Sequence, residues 1–143
     1  SQMILASHIL SKLEKKDGSI GLHWAGIGYH LEDFNIVDFL GKADGYIAKT
    51  KPKNNIIGHN KWDYEYSFKK YNIAAVPMYN YYLNLPTQQL KKNDNDFWLD
   101  LLNYLMNINK KYTFLNAHEL GIDKKINMGL WVRNDLVNKI KKN

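Results

Sequence analysis

FNIVDFLGKADGYIAKTKPKN, residues 34–54, decides how the chain is read. Ile36-Val37-Asp38-Phe39-Leu40 is β-branched and aromatic, the composition that strands favour. Gly41 to Gly45 is turn chemistry, with Asp44-Gly45 suited to the positive φ of a tight hairpin. Tyr46 to Thr50 then reads as a returning strand, stopped by Pro52. A helix from Asp33 to Leu40 competes, because Leu31, Phe34, Val37 and Leu40 also recur at helical spacing. The hairpin is preferred. It would set Asp38 near Lys49 and send Lys49, Lys51 and Lys53 off one side.

Upstream, Met3 to Lys16 carries apolar residues at 3, 6, 9, 10 and 13, a helical stripe, with Lys15 and Lys16 at the negative end of the dipole and Gly18 as its stop. Ser19 to Leu31 alternates as strands do, with a bulge or bend near Gly26. Downstream, Lys51 to Lys61 reads as a loop. Tyr64, Tyr66 and Phe68 alternate like a strand, and Asn72 to Val76 reads as another, ending before Pro77. Met78 to Leu85 is ambiguous, and Pro86-Thr87 breaks the chain. Asn93 to Asp96 offers N-caps for a helix from Phe97 to Asn109 that Lys110-Lys111 closes. A short element at Asn116 to Leu120 precedes a final helix from Lys124 to Lys141, with Ile126, Leu130, Val137 and Ile140 on one face. The expectation is a single α+β domain spanning 1–143: an N-terminal helix, a small antiparallel sheet in the middle of the chain and two longer C-terminal helices.

At 143 residues and 45% apolar content the chain is long enough to bury a core and is not a disordered polymer. It has no cysteine, which excludes disulfides, thiol catalysis and thiolate metal sites and suits the cytoplasm. No apolar run is long enough to span a membrane, and the first segment lacks a signal-peptide pattern. The net charge of +6 is uneven: residues 1–41 sum to −2, 42–70 to +4, 71–123 to −1 and 124–143 to +5. Two basic blocks on a near-neutral body point to a polyanion, nucleic acid first, although lysine-rich surfaces also serve solubility.

Asn116 to Ile122 followed by the basic helix resembles a helix-turn-helix pattern. That resemblance implies a recognition helix presenting Lys124, Lys125, Asn127, Arg133 and Asn134 to phosphates and base edges. Ile126 falls one position early and Gly129 interrupts the helix. Lys42-Ala43-Asp44-Gly45 resembles the K-x-D-G motif of the ATP-dependent ligase and capping-enzyme superfamily, which implies Lys42 as nucleotidyl acceptor. Only Glu65 follows as a metal-binding carboxylate, with no Glu-Gly motif, and an Asp-Gly turn explains the same letters.

Two nuclease readings stand beside these. Asp38, Asp44 and Lys49 with Glu14 could hold a metal and polarise water, although Ile47 occupies the position where an acid belongs. His23 and His30 could act as base and acid, or as ligands if a bulge near Gly26 puts them on one side. Finally, Tyr64, Tyr66, Phe68, Tyr71, Tyr79, Tyr81 and Tyr82 interleave with Lys61, Lys69 and Lys70, which suits base stacking with phosphate neutralisation, or a protein partner. The leading expectation is a nucleic-acid-binding protein without catalysis of its own, contacting phosphates through Lys49, Lys51, Lys53, Lys61, Lys69, Lys70, Lys124, Lys125 and Arg133. It needs no cofactor or metal. A small nuclease using Asp38, Lys49, His23 or His30, and a protein-interaction or inhibitor module, are the alternatives.

Overall fold

Among the described residues, five short strands form one mixed sheet in the order β2-β1-β3-β5-β4. The computed structural model describes residues 2–23, 25–41, 44–84 and 96–142. The strands are β1 (Ser19–Leu22), β2 (Ile36–Asp38), β3 (Ile73–Tyr79), β4 (Tyr112–Leu115) and β5 (Met128–Arg133). β1 runs parallel to β2 and to β3, whereas β5 runs antiparallel to both β3 and β4. The class is α+β, but the expectation of a small antiparallel sheet is overturned: the N-terminal half of the sheet is parallel.

Helices cover both faces. α1 (Gln2–Lys12), α2 (Ala25–Gly28), α6 (Ala117–Leu120) and α7 (Val137–Ile140) lie on one side. There Leu5, Ile9, Ile27, Leu120 and Ile140 pack against Ile20, Leu22, Leu130 and Val132. α4 (Tyr64–Lys70) and α5 (Phe97–Asn103), which runs on into a wide π turn (Tyr104–Ile108), lie on the other side. There Tyr64, Leu101 and Leu102 meet Ile73, Val76, Met78 and Trp131. β5 shows the period of two that a sheet between two layers demands. Met128, Leu130 and Val132 enter the first cluster and Trp131 the second.

The hairpin at 34–50 does not form. β2 pairs in parallel with β1, and Asp44 is not a turn residue but the N-cap of α3 (Gly45–Ala48), accepting from the Tyr46 N–H at 2.9 Å and the Ile47 N–H at 3.3 Å. The expected strand through Tyr64, Tyr66 and Phe68 is α4. Asp63 caps it through the Tyr66 N–H, and Tyr64 and Ser67 are its buried face at i and i+3. Beyond Leu22 the expected second strand is α2, not a bulged continuation. β3 runs through Pro77, where a stop was expected. Pro77 lies past the last β1 partner in register, Ile20 opposite Ala75, and only β5 faces it. Gly18 closes a 3₁₀ turn (Lys15–Asp17) rather than α1.

The pair of long C-terminal helices is the largest correction. The first is present, but as α5 continued by a π turn to Ile108 rather than as one regular α-helix, and Asp96 caps it as read. The second does not exist as one helix: its first half is β5, followed by a 3₁₀ turn (Asn134–Leu136) and α7. Gly129 explains the outcome. A Cβ there would collide with the Phe114 ring and the Leu115 carbonyl of β4, so the close approach of the two strands requires glycine. Gly121, at φ +74°, terminates α6 in the left-handed region as a C-cap glycine does.

Candidate functional site

The antiparallel placement of β5 brings distant basic segments together. Its carboxyl end, Arg133, stands opposite Tyr112 at the start of β4, and β3 begins on its other side. Lys69, Lys70 and Tyr71 end α4 just before β3, and Lys110 and Lys111 follow the π turn just before β4. All five cations therefore fall at one end of the sheet. Lys69, Lys70, Lys111 and Arg133 line a groove of about 400 Å³ that also carries Tyr71, Asn72 and Tyr112. A second hollow of about 450 Å³ continues it through Phe68, Lys69, Asn109 and Lys111 and adds Lys110, with Glu65 as its acid.

The cations of this groove differ in what they can do. Arg133 is fully engaged: it donates to Asp135 from Nε at 2.6 Å, to Asn72 Oδ1 at 2.5 Å and to the Asp17 carbonyl at 2.9 Å, with further bonds to Asp135 and the Ile73 carbonyl. It is a fixed positive wall that ties β5 to the start of β3. Lys69 pairs with Glu65 at 3.0 Å, but both side chains are solvent-exposed, so the pair holds little free energy and yields readily to a phosphate. Among the described residues no carboxylate pairs with Lys110 or Lys111.

Lys70 joins the groove to a tyrosine platform. Its Nζ donates to the Tyr66 hydroxyl at 2.9 Å, lies 3.5 Å from Asp44 Oδ2, and stands 5.4 Å and 5.2 Å from the Tyr66 and Tyr71 ring centres. The Tyr66 hydrogen bond and the Asp44 charge raise its pKa, partly opposed by desolvation. Asp44 is the hub. Its buried carboxylate accepts from Tyr71 Oη at 2.6 Å and from Tyr66 Oη at 3.2 Å, besides capping α3. Desolvation pushes its pKa up, but the bonds from Tyr71, the Ile47 and Tyr46 amides and Tyr66 win and hold it at about 2. Tyr46, on α3, stacks on Tyr66 with ring centres 4.2 Å apart and planes 26° from parallel.

A second constellation lies in the core at the carboxyl end of β1. His23 is buried among Phe39, Phe97 and Trp98, with ring centres 4.5–5.0 Å away. Tyr64 Oη donates to the Phe97 carbonyl at 2.5 Å, so its oxygen accepts from His23 Nε2 at 2.7 Å. The ring is thereby the Nε2–H tautomer, and among the described residues its Nδ1 has no hydrogen-bond partner. Burial, reinforced by the charge of His59, lowers its pKa to about 3.

The expected site residues distribute as follows. Lys69, Lys70 and Arg133 share the groove. Lys49 ends α3 and Lys61 donates to the Ala48 carbonyl at 2.6 Å, so both stand at the carboxyl end of the helix that carries Tyr46. Lys53 lies over Trp62, 5.2 Å from its ring centre, and 3.8 Å from Asp100, and Lys51 is an exposed loop residue. Lys124 and Lys125 stand in the loop before β5, at the opposite end of that strand from Arg133, and no recognition helix presents them. Asp38 and Lys49 are not joined on a hairpin: Asp38 ends β2 and accepts from the Leu40 N–H. His30 is exposed after α2 while His23 is enclosed, so the strand bulge expected to pair them is absent. No cluster of three or more His, Asp or Glu suited to a metal occurs among the described residues. Lys42 and Ala43 of the K-x-D-G stretch lie outside the described residues, and its Asp44 serves as cap and tyrosine acceptor.

Sequence reasoning missed Lys110 and Lys111, taken only as helix-closing charges, and Tyr46, taken as part of a hairpin strand; it named Asp44, but as a metal ligand or motif residue rather than a helix cap and tyrosine acceptor. Their signal was position: each lies directly beside an element boundary at the same end of the fold. No family model, curated protein or solved structure matches the chain. No helix among the described residues is long and apolar enough to cross a membrane.

Proposed function

We propose that the protein binds the phosphate backbone of a nucleic acid along the groove bounded by the end of α4, the approach to β4 and the end of β5. One observation carries this reading: Lys69, Lys70, Lys111 and Arg133, from three separate parts of the chain, line a single polar groove. Lys110 extends the same positive surface. Exposed lysines opposite a fixed guanidinium suit a chain of phosphates better than a single small anion, because the charges are spread along a trough rather than gathered at a point. Asn72, Asn109, Tyr71 and Tyr112 add polar and aromatic walls for sugars and bases.

Fluorescence anisotropy of labelled oligonucleotides tests it. Binding through about four phosphates gives a log–log salt slope of about −3. The double variant Lys69→Ala/Lys111→Ala lowers affinity and reduces the slope by about 1 to 2. Retention that ignores salt, or none at low salt, overturns the reading.

A further inference from the structure

A tyrosine platform stands beside the groove. Tyr46 is 53% exposed, although one ring face rests on Tyr66. Tyr66 in turn is fixed at its hydroxyl by Asp44 and Lys70, so the stacked pair is held from below. Lys49 follows Tyr46 by three residues at the end of α3, a spacing that makes them neighbours on a helix surface. Lys61 reaches the same end of α3 through the Ala48 carbonyl. A solvent-facing aromatic ring with two lysines at the end of its helix, linked through Tyr66 and Lys70 to a phosphate-sized trough, is the arrangement by which proteins take unpaired bases. A duplex offers no free base face to such a ring.

We propose, resting on the nucleic-acid reading above, that the ligand is single-stranded and that one of its bases stacks on the outer face of Tyr46 while the neighbouring phosphates run past Lys70 into the groove. The preference is for strand form rather than sequence, because every base has a π face. Lys49, on this view, steadies the phosphate on the far side of the stacked base.

The test compares a labelled twelve-nucleotide oligothymidine with a twelve-base-pair duplex, using the full chain and its Tyr46→Ala and Tyr46→Phe variants. The single strand is expected to bind more tightly than the duplex. Tyr46→Ala is expected to weaken single-strand binding on the order of ten- to a hundredfold without changing its salt slope, and Tyr46→Phe to restore it. Circular dichroism checks that the variants fold. Equal affinity for both forms, or no effect of Tyr46→Ala, overturns the stacking proposal and leaves the groove reading intact. No binding of either form by the unaltered chain overturns both.

Discussion

His23 Nε2 and Tyr64 Oη lie 2.7 Å apart in the core, with the tyrosine proton committed to the Phe97 carbonyl. The arrangement accepts a neutral imidazole and no other. A second proton on His23 would place a charge amid Phe39, Phe97 and Trp98, with no carboxylate hydrogen-bonded to it among the described residues.

Stability should therefore fall in mild acid. The folded pKa of His23 is about 3 and its ordinary value 6.5, so below pH 6.5 the unfolded chain binds a proton that the folded chain refuses. The stabilisation is complete above pH 6.5 and is lost as pH falls toward 3, with a slope of at most about 1.4 kcal/mol per unit. His8, whose pKa burial also lowers, adds in the same direction. Urea midpoints at pH 7 and pH 5 measure the loss. His23→Gln keeps a donor for Tyr64 but cannot titrate, so its two midpoints should lie closer together; an unchanged difference would place the titration elsewhere.

Asp44 is charged throughout that window. Its folded pKa of about 2 lies below the ordinary 3.8, so its contribution is present above pH 3.8 and disappears as pH falls through 2. Asp44→Ala removes the α3 cap and leaves the hydroxyls of Tyr66 and Tyr71 without their acceptor, an expected cost of about 2–3 kcal/mol. Asp44→Asn, which keeps a capping oxygen, should cost less. Thermal unfolding of the pair distinguishes a hub from an ordinary turn aspartate, for which both substitutions would be nearly silent.

Gly129→Ala separates the two structures this sequence can suggest. In an exposed helix the substitution gains about 1 kcal/mol. In β5 the new methyl meets Phe114 and the Leu115 carbonyl, and the two strands must part, an overpacking cost of about 1–3 kcal/mol. The sign of the change in urea midpoint decides.

That contrast shows what the sequence could and could not say. The apolar face Ile126, Leu130, Val137 and Ile140 is real, and all but Val137 are buried, but it is shared between a strand and a short helix whose periods happen to agree there. The alternation of Met128, Leu130 and Val132 is present in the same stretch, and it is the pattern that packing in the sheet selects. In residues 34–50 the local signals were read correctly as an apolar run, then Asp-Gly, then a second run. What they could not show is that the partner of β2 is β1, sixteen residues upstream in register, which turns a hairpin into a parallel pair with Asp44 freed to cap a helix. α1, the core of α5 and the Asp96 cap were legible because their spacing and caps agree with their packing. Of the candidate site, the lysines were legible as a class. Their partition was not, because it depends on which ends of strands lie together.

The partition gives the last prediction. Lys124 and Lys125 precede Met128, and Arg133 closes the same strand, so the two groups stand roughly 17 Å apart along β5 or more, given about 3.4 Å per residue. That exceeds the screening length of about 8 Å at physiological salt. Lys124→Ala/Lys125→Ala should accordingly leave oligonucleotide affinity within about twofold, whereas Lys69→Ala/Lys111→Ala, which removes the same formal charge, should weaken it on the order of ten- to a hundredfold at low salt. Equal losses from the two pairs would mean that net charge, not the groove, holds the polyanion.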